Sequence, residues 1–164
     1  MKKVELRYQR VSDAAKFFKI LNNPNFTWFR VCPESIEAEK EFLRQNRQKR
    51  KEKREFNYAV IYDGKLAGGC GLRIDQFRKF QGEIGYFIDE QYWGLGLASE
   101  AVRLLEKIGF EELGLVRIEI LMHPENTASE KVAIKCGYIK EGTMRKAVTN
   151  GEEICDCHLY AKTI

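Results

Sequence analysis

No stretch of this chain stays apolar for the roughly 20 consecutive residues that a membrane-crossing helix needs. Its opening run, Met1-Lys2-Lys3-Val4-Glu5-Leu6-Arg7-Tyr8, carries no apolar leader. The expectation is a cytoplasmic protein with no membrane contact. Histidine is scarce, with two in 164 residues. The five cysteines are odd in number, and Cys155-Asp156-Cys157 has no second pair at zinc spacing. Metal chemistry is therefore not expected, and reduced, partly buried thiols are. Repeats, low-complexity tracts and linkers are also missing. Residues 1–164 read as one domain, long enough to bury a substantial core.

Positive charge is present in excess over one short stretch. The net charge of +4 is modest, yet Arg44, Arg47, Lys49, Arg50, Lys51, Lys53 and Arg54 face Glu52 alone between positions 44 and 54. Such a run can be the footprint of RNA or of an acidic partner. Aromatic residues are not interleaved through it as stacking platforms, which favours a solvated helix face.

Periodicity and turn chemistry divide the chain. Val4 to Arg10 alternates as a strand, and Ser12 caps a helix reaching about Leu21 before Asn22-Asn23-Pro24-Asn25 breaks it. Pro33 or Ser35 opens a long charged helix to about Arg54, with Ile36, Phe42 and Leu43 as its buried contacts and its distal half standing off the core. Phe56–Tyr62 and Leu66–Ile74 flank the hairpin turn Asp63-Gly64-Lys65. Gly68, Gly69 and Gly71 inside the second strand signal a bulge or a close backbone approach.

Gly82–Asp89 is the next strand, followed by a helix from about Ala98 to Leu113, a strand over Val116–Leu121 and a short helix to about Cys136 capped by Asn126 or Thr127. Tyr138–Thr149 and Glu153–Lys162 are strands joined by Asn150-Gly151. The sum is an α+β architecture around one mixed sheet.

The most informative stretch is Gly82 to Leu105. Gly94 and Gly96, in the turn between a strand and a helix, let the backbone bend tightly and approach a ligand. The unpaired N–H groups and the positive dipole end of the following helix suit a phosphate or pyrophosphate. A dinucleotide-binding fold fits poorly: the next strand ends Leu121-Met122-His123 with no acidic residue, and no further strand–helix–strand units follow.

Read as an ordered set, Glu83-Ile-Gly-Tyr-Phe-Ile-Asp89, Tyr92-Trp-Gly-Leu-Gly-Leu-Ala-Ser-Glu-Ala-Val102, Phe110–Glu119, Pro124–Ser129, Cys136-Gly-Tyr138, Glu141-Gly142, Asn150-Gly151 and Asp156 resemble the GNAT superfamily of acyl-CoA-dependent N-acyltransferases. The branch most similar is the RimJ/RimL type, which acetylates ribosomal-protein amino termini. The resemblance implies a mixed, mostly antiparallel twisted sheet of about seven strands flanked by about four helices, with strands splayed at the coenzyme. It implies acetyl-CoA as co-substrate, with Trp93, Gly94, Leu95, Gly96, Leu97, Ala98 and Ser99 forming the pyrophosphate loop. Trp93 stands where many members have Arg or Gln, and Leu95 where lysine is frequent.

By the same resemblance, Phe87 and Ile88 offer backbone groups to the pantetheine arm and Asn126 hydrogen-bonds it. Ser129 protonates the departing thiolate, since the position where some relatives carry tyrosine is Ala133. The Ile88 N–H stabilises the carbonyl oxygen as it becomes negative. Glu83 is the leading general base, with a solvent-facing strand-end carboxylate as the plain alternative; Val148 and Thr149 occupy the place where related enzymes carry a carboxylate. Trp28, Arg30 and Asp156 fall at the acceptor site. His123 is read as a turn residue and His158 as a packed or surface residue.

The expected reaction is acetyl transfer to a primary amine, foremost a protein N-terminal α-amino group, with ribosome association and a monomer or homodimer in view. A small-molecule amine (a polyamine or amine drug) and a non-catalytic acyl-CoA- or RNA-binding domain are the alternatives.

Overall fold

The computed structural model describes residues 3–28 and 32–164. Among them, a seven-stranded sheet runs in the order β1-β2-β3-β4-β5-β7-β6. The strands are β1 (Val4–Tyr8), β2 (Glu55–Tyr62), β3 (Lys65–Ile74), β4 (Gln81–Ile88), β5 (Arg117–Met122), β6 (Ile139–Asn150) and β7 (Glu153–Thr163). The helices are α1 (Ala14–Leu21), α2 (Ile36–Lys51), α3 (Leu97–Lys107) and α4 (Thr127–Lys135). Every pairing is antiparallel except β4 with β5. The mixed α+β sheet read from the sequence is the one observed.

Two cores sit on opposite faces. One packs α3 against Leu72, Ile84, Ile118 and Ile120, all nearly inaccessible. Leu97, Ala101, Val102 and Leu105 supply the apolar stripe of α3, and burying each large aliphatic side chain contributes about 1.5–3 kcal/mol. That stripe fixes the start of α3 against the sheet. The other core joins α1 and α2 to the sheet through Phe17, Ile20, Leu43 and Ala59.

Several expectations shift in detail. The first helix begins one residue later than a Ser12 cap implies: Val11–Asp13 is a 3-10 turn, Asp13 takes the cap position, and its side chain accepts the Arg10 N–H. On α2, Ser35 caps through the Ala38 N–H. Leu43 is buried there, but Ile36 and Phe42 are exposed. The distal half of α2 does not stand off, because Asn46 is 3% exposed and docks it by hydrogen bonds to Gln9 and Asn57.

The third helix closes at Lys107 and widens into a π turn over Ile108–Glu112, where Gly109 lies against Ile118. A Cβ on Gly109 would come within 2.7 Å of the Ile118 side chain, so the wide turn packs flush only with glycine. Both signals read into the β3 glycines are present. A register shift falls at Val60/Ile61 opposite, and a Cβ on Gly69 would sit 2.6 Å from the Phe87 ring.

Among the described residues, four of the seven cations between positions 44 and 54, a run that begins on α2 and ends just past it, engage neighbouring side chains. Arg44 pairs with Glu41 and Glu37, Lys49 with Glu55, and Arg54 with Glu52, while Arg50 lies over the Tyr8 ring. No helix among the described residues is long and apolar enough to cross a membrane. No cluster of metal-ligating side chains occurs among them either.

Candidate active site

The parallel pairing of β4 with β5 lasts three registers, Gln81–Arg117, Gly82–Ile118 and Glu83–Glu119. Beyond Glu83, β4 stays with β3 as far as Ile88, and β5 stays with β7 as far as Met122. A wedge-shaped gap therefore opens in the middle of the sheet. The Asp89 N–H donates to Ala67 O, and Gln81 O accepts from Asp75. By the alternation of an antiparallel ladder, Phe87 and Gly85 bond toward β3, whereas Ile84, Tyr86 and Ile88 turn their backbone groups into the gap.

The Ile88 carbonyl is taken by the Trp93 indole N–H at 2.7 Å. The group Ile88 can offer a ligand is thus its N–H. Phe87 belongs to the opposite face, where its ring packs edge-on against Phe17 at 5.4 Å.

At the mouth of the gap, Gly94 and Gly96 have φ of 77° and 79°, left-handed values that glycine adopts without strain. The first helical bond of α3 runs from the Glu100 N–H to Gly96 O, so the N–H groups of Leu97, Ala98 and Ser99 have no helical acceptor. The Leu97 and Ser99 side chains are buried, and Leu95 is exposed. Trp93 braces the loop from within: besides its bond to Ile88, its ring lies 5.6 Å from that of Phe26.

A cation arrives from elsewhere. The Lys135 ammonium, in the last turn of α4, lies 3.8 Å from where a Gly96 Cβ would be. The loop thus combines free N–H groups, a helix dipole and a lysine, which is the chemistry of a pyrophosphate cradle.

Across the gap, Asn126 caps α4 by accepting the Ser129 N–H at 3.1 Å. Its oxygen is engaged, so its side-chain NH2 is what it can give a ligand. Ser129 Oγ is 2.8 Å from the Tyr86 phenol oxygen. Burial pushes the Tyr86 phenol up to about 12.

On the other face, Glu83 accepts from Arg73 at 2.8 Å. Its neighbour across the last parallel rung, Glu119, is held by Arg117, which also grips Glu141. Trp28 stacks on His123, rings 4.5 Å apart and 18° from parallel. Asp156 accepts the Lys146 N–H within the irregular part of the β6–β7 pair, and Lys146 has a positive φ there. Arg30 lies outside the described residues.

Comparison with known proteins adds the family. A model described as the acetyltransferase (GNAT) domain matches residues 3–139. The chain belongs to the GNAT acetyltransferase family. The N-acetyltransferase p20 of Bacillus licheniformis is 34% identical over 106 residues, covering 65% of this chain and 60% of that protein. The ribosomal-protein-serine acetyltransferase of Escherichia coli is 31% identical over 108 residues, 65% of this chain and 60% of that one. In both cases the match spans under two thirds of the relative.

Among solved structures, RimL, a ribosomal L7/L12 alpha-N-protein acetyltransferase in complex with coenzyme A, superposes with a TM-score of 0.89 at 21% identity. That superposition covers 98% of this chain and 94% of RimL, and it shows a shared GNAT fold.

In this GNAT domain two residues beside the gap have no role in the sequence reading, Tyr86 and Lys135. Tyr86 was readable in principle, as the one polar side chain in the apolar set Ile84, Tyr86, Ile88. Lys135 was not, since its approach to Gly96 depends on how α4 packs. His123 has the turn role expected of it, accepting the Glu125 N–H at Nδ1 and the Asn126 N–H at its carbonyl, and its ring also stacks on Trp28.

Proposed function

We propose that this GNAT domain transfers an acetyl group from acetyl-CoA to a primary amine, with the α-amino group of a protein as the acceptor. The observation that carries this reading is the gap after Glu83, walled by the free Ile88 N–H on one side and by Asn126 and Ser129 on the other. The glycine cradle lies at its mouth. An extended pantetheine can lie in the gap as a partial strand, with the Ile84–Ile88 backbone as its partner.

In this reading the Ile88 N–H faces the thioester oxygen and stabilises the charge that develops on it. Ser129 meets the leaving sulphur. The amine must be neutral to attack, and Glu83 takes its proton, directly or through water. The Arg73 guanidinium holds one Glu83 oxygen, which leaves the other to act. Trp28 and His123 wall the acceptor side. Likeness to a ribosomal-protein-serine acetyltransferase favours a protein α-amine, met in the cytoplasm, over a polyamine or drug. The pairing of Arg44, Lys49 and Arg54 with nearby carboxylates speaks against an RNA-binding role for the basic run.

The test is a thiol-release screen of acetyl-CoA against peptides with free N-termini and against small amines, paired with mass spectrometry of ribosomal proteins from cells with and without the gene. Turnover with peptides and loss of one N-terminal acetyl group in the deleted strain is the expected result. Turnover with small amines alone would overturn the protein acceptor, and coenzyme binding without any release would overturn catalysis.

A further inference from the structure

The phenol of Tyr86 crosses the gap at the point where β4 and β5 have parted, and joins β4 to the first turn of α4. Its oxygen lies 2.8 Å from Ser129 Oγ and 3.4 Å from the Ser129 carbonyl oxygen. Among the described residues, both acceptors within its reach therefore belong to Ser129. A phenol is a stronger acid than an alkyl hydroxyl and the better donor of the two. With Tyr86 donating to Oγ, the single proton of Ser129 is not used in that bond. The Asn126 cap meanwhile fixes the backbone that carries the serine.

We propose that Tyr86 is a positioning residue for acetyl transfer: by donating to Ser129 Oγ, it turns the serine proton toward the sulphur of the departing coenzyme. The proposal rests on the coenzyme reading above. During transfer the amine nitrogen bonds to the acetyl carbon, the C–S bond breaks and its electron pair moves to sulphur. The Ser129 hydroxyl donates a hydrogen bond to that sulphur as its charge grows. The proton the sulphur finally binds balances the one the nitrogen loses. Tyr86 stays protonated throughout, since burial pushes its phenol up to about 12.

Coenzyme A itself is the probe, so no acceptor need be known. The bound thiol is titrated by the ultraviolet absorbance of its thiolate in the wild type, Tyr86→Phe, Ser129→Ala and the double variant. Calorimetric affinity for coenzyme A and thermal melting report on folding. A hydrogen bond to the charged form lowers a pKa, so the wild-type complex should titrate about one pH unit below Ser129→Ala. Tyr86→Phe should move at least half-way to the Ser129→Ala value with affinity changed less than about threefold. The double variant should coincide with Ser129→Ala, because an effect exerted through Ser129 vanishes without it.

If Tyr86→Phe does not fold, 3-fluorotyrosine at position 86, similar in shape and more acidic, should lower the thiol pKa further. A Tyr86→Phe complex titrating like wild type, a double variant beyond Ser129→Ala, or no response to fluorotyrosine overturns the proposal alone. Ser129→Ala titrating like wild type removes Ser129 and the proposal together. Absence of coenzyme binding in the wild type brings down the coenzyme reading itself.

Discussion

Under the proposed coenzyme reading, Leu95 stands where a loop lysine would reach a phosphate, and Lys135 would supply that charge from a different element. Its ammonium lies 3.8 Å from the position a Cβ on Gly96 would take. An ammonium–phosphate hydrogen bond is charge-assisted and contributes about 1.5–3 kcal/mol. Lys135→Met is expected to weaken coenzyme A binding by about tenfold, the equivalent of roughly 1.4 kcal/mol, with the difference shrinking as salt is raised. Calorimetry at two ionic strengths reads both effects; equal affinity at low salt would remove Lys135 from the cradle. Gly96→Ala should weaken binding too, because φ of 79° costs an L-residue about 1–2 kcal/mol and the added methyl would intrude on the proposed phosphate site. Melting temperature separates that strain from lost affinity.

At the scale of elements, α2 shows how a polar face can dock a helix. Its sequence from Arg44 to Lys51 offers no apolar side chain, yet Asn46 is as buried as Leu43. The Asn46 amide donates to Gln9 at 2.9 Å and accepts from Asn57 at 3.0 Å, while Gln9 in turn donates to Tyr58 O. The chain joins α2, the segment after β1, and β2. Asn46→Ala leaves partly buried donors and acceptors unpaired, at a cost of about 2 kcal/mol. A fall of about 4–8 °C in Tm is expected; an unchanged Tm would show that water replaces the amide without loss.

The same helix marks where the sequence stops being readable. Ser35, Asn126, Asp63-Gly64 and Asn150-Gly151 announce themselves because caps and tight turns are local chemistry. The glycine cradle is local in the same way. Asn46 and Tyr86 gain their meaning from partners 11 to 43 residues away along the chain, and Lys135 from helix packing, which no window of sequence contains.

Seen whole, the molecule fastens its α1–α2 layer to the sheet through three carboxylates. Asp13 binds Arg7 of β1, Glu55 of β2 binds Lys49 of α2, and Asp89 after β4 binds Lys16 of α1. Burial alone would push each carboxyl up. The Arg7 guanidinium and Arg10 N–H at Asp13, Lys49 and Asn57 at Glu55, and Lys16 and Gln91 at Asp89 outweigh it, holding all three below the ordinary range. A group whose folded pKa is depressed stabilises fully above its unfolded pKa, about 3.9 for Asp and 4.3 for Glu, and loses that contribution as pH falls through the folded value. Urea midpoints should therefore be nearly flat above about pH 5 and drop steeply below about pH 4. The loss should be uneven across the fold. The α3 layer has a carboxylate contact of its own, Glu106 with Lys162, beside a larger aliphatic core that does not titrate, so amide exchange near pH 3 should rise in α1 and α2 before it rises in α3. Asp13→Asn tests the assignment: it should cost about 2 kcal/mol at pH 7, and its midpoint should fall less on acidification than that of the wild type. A wild-type midpoint that held constant or rose below pH 4 would show that these three carboxylates do not fasten the layer.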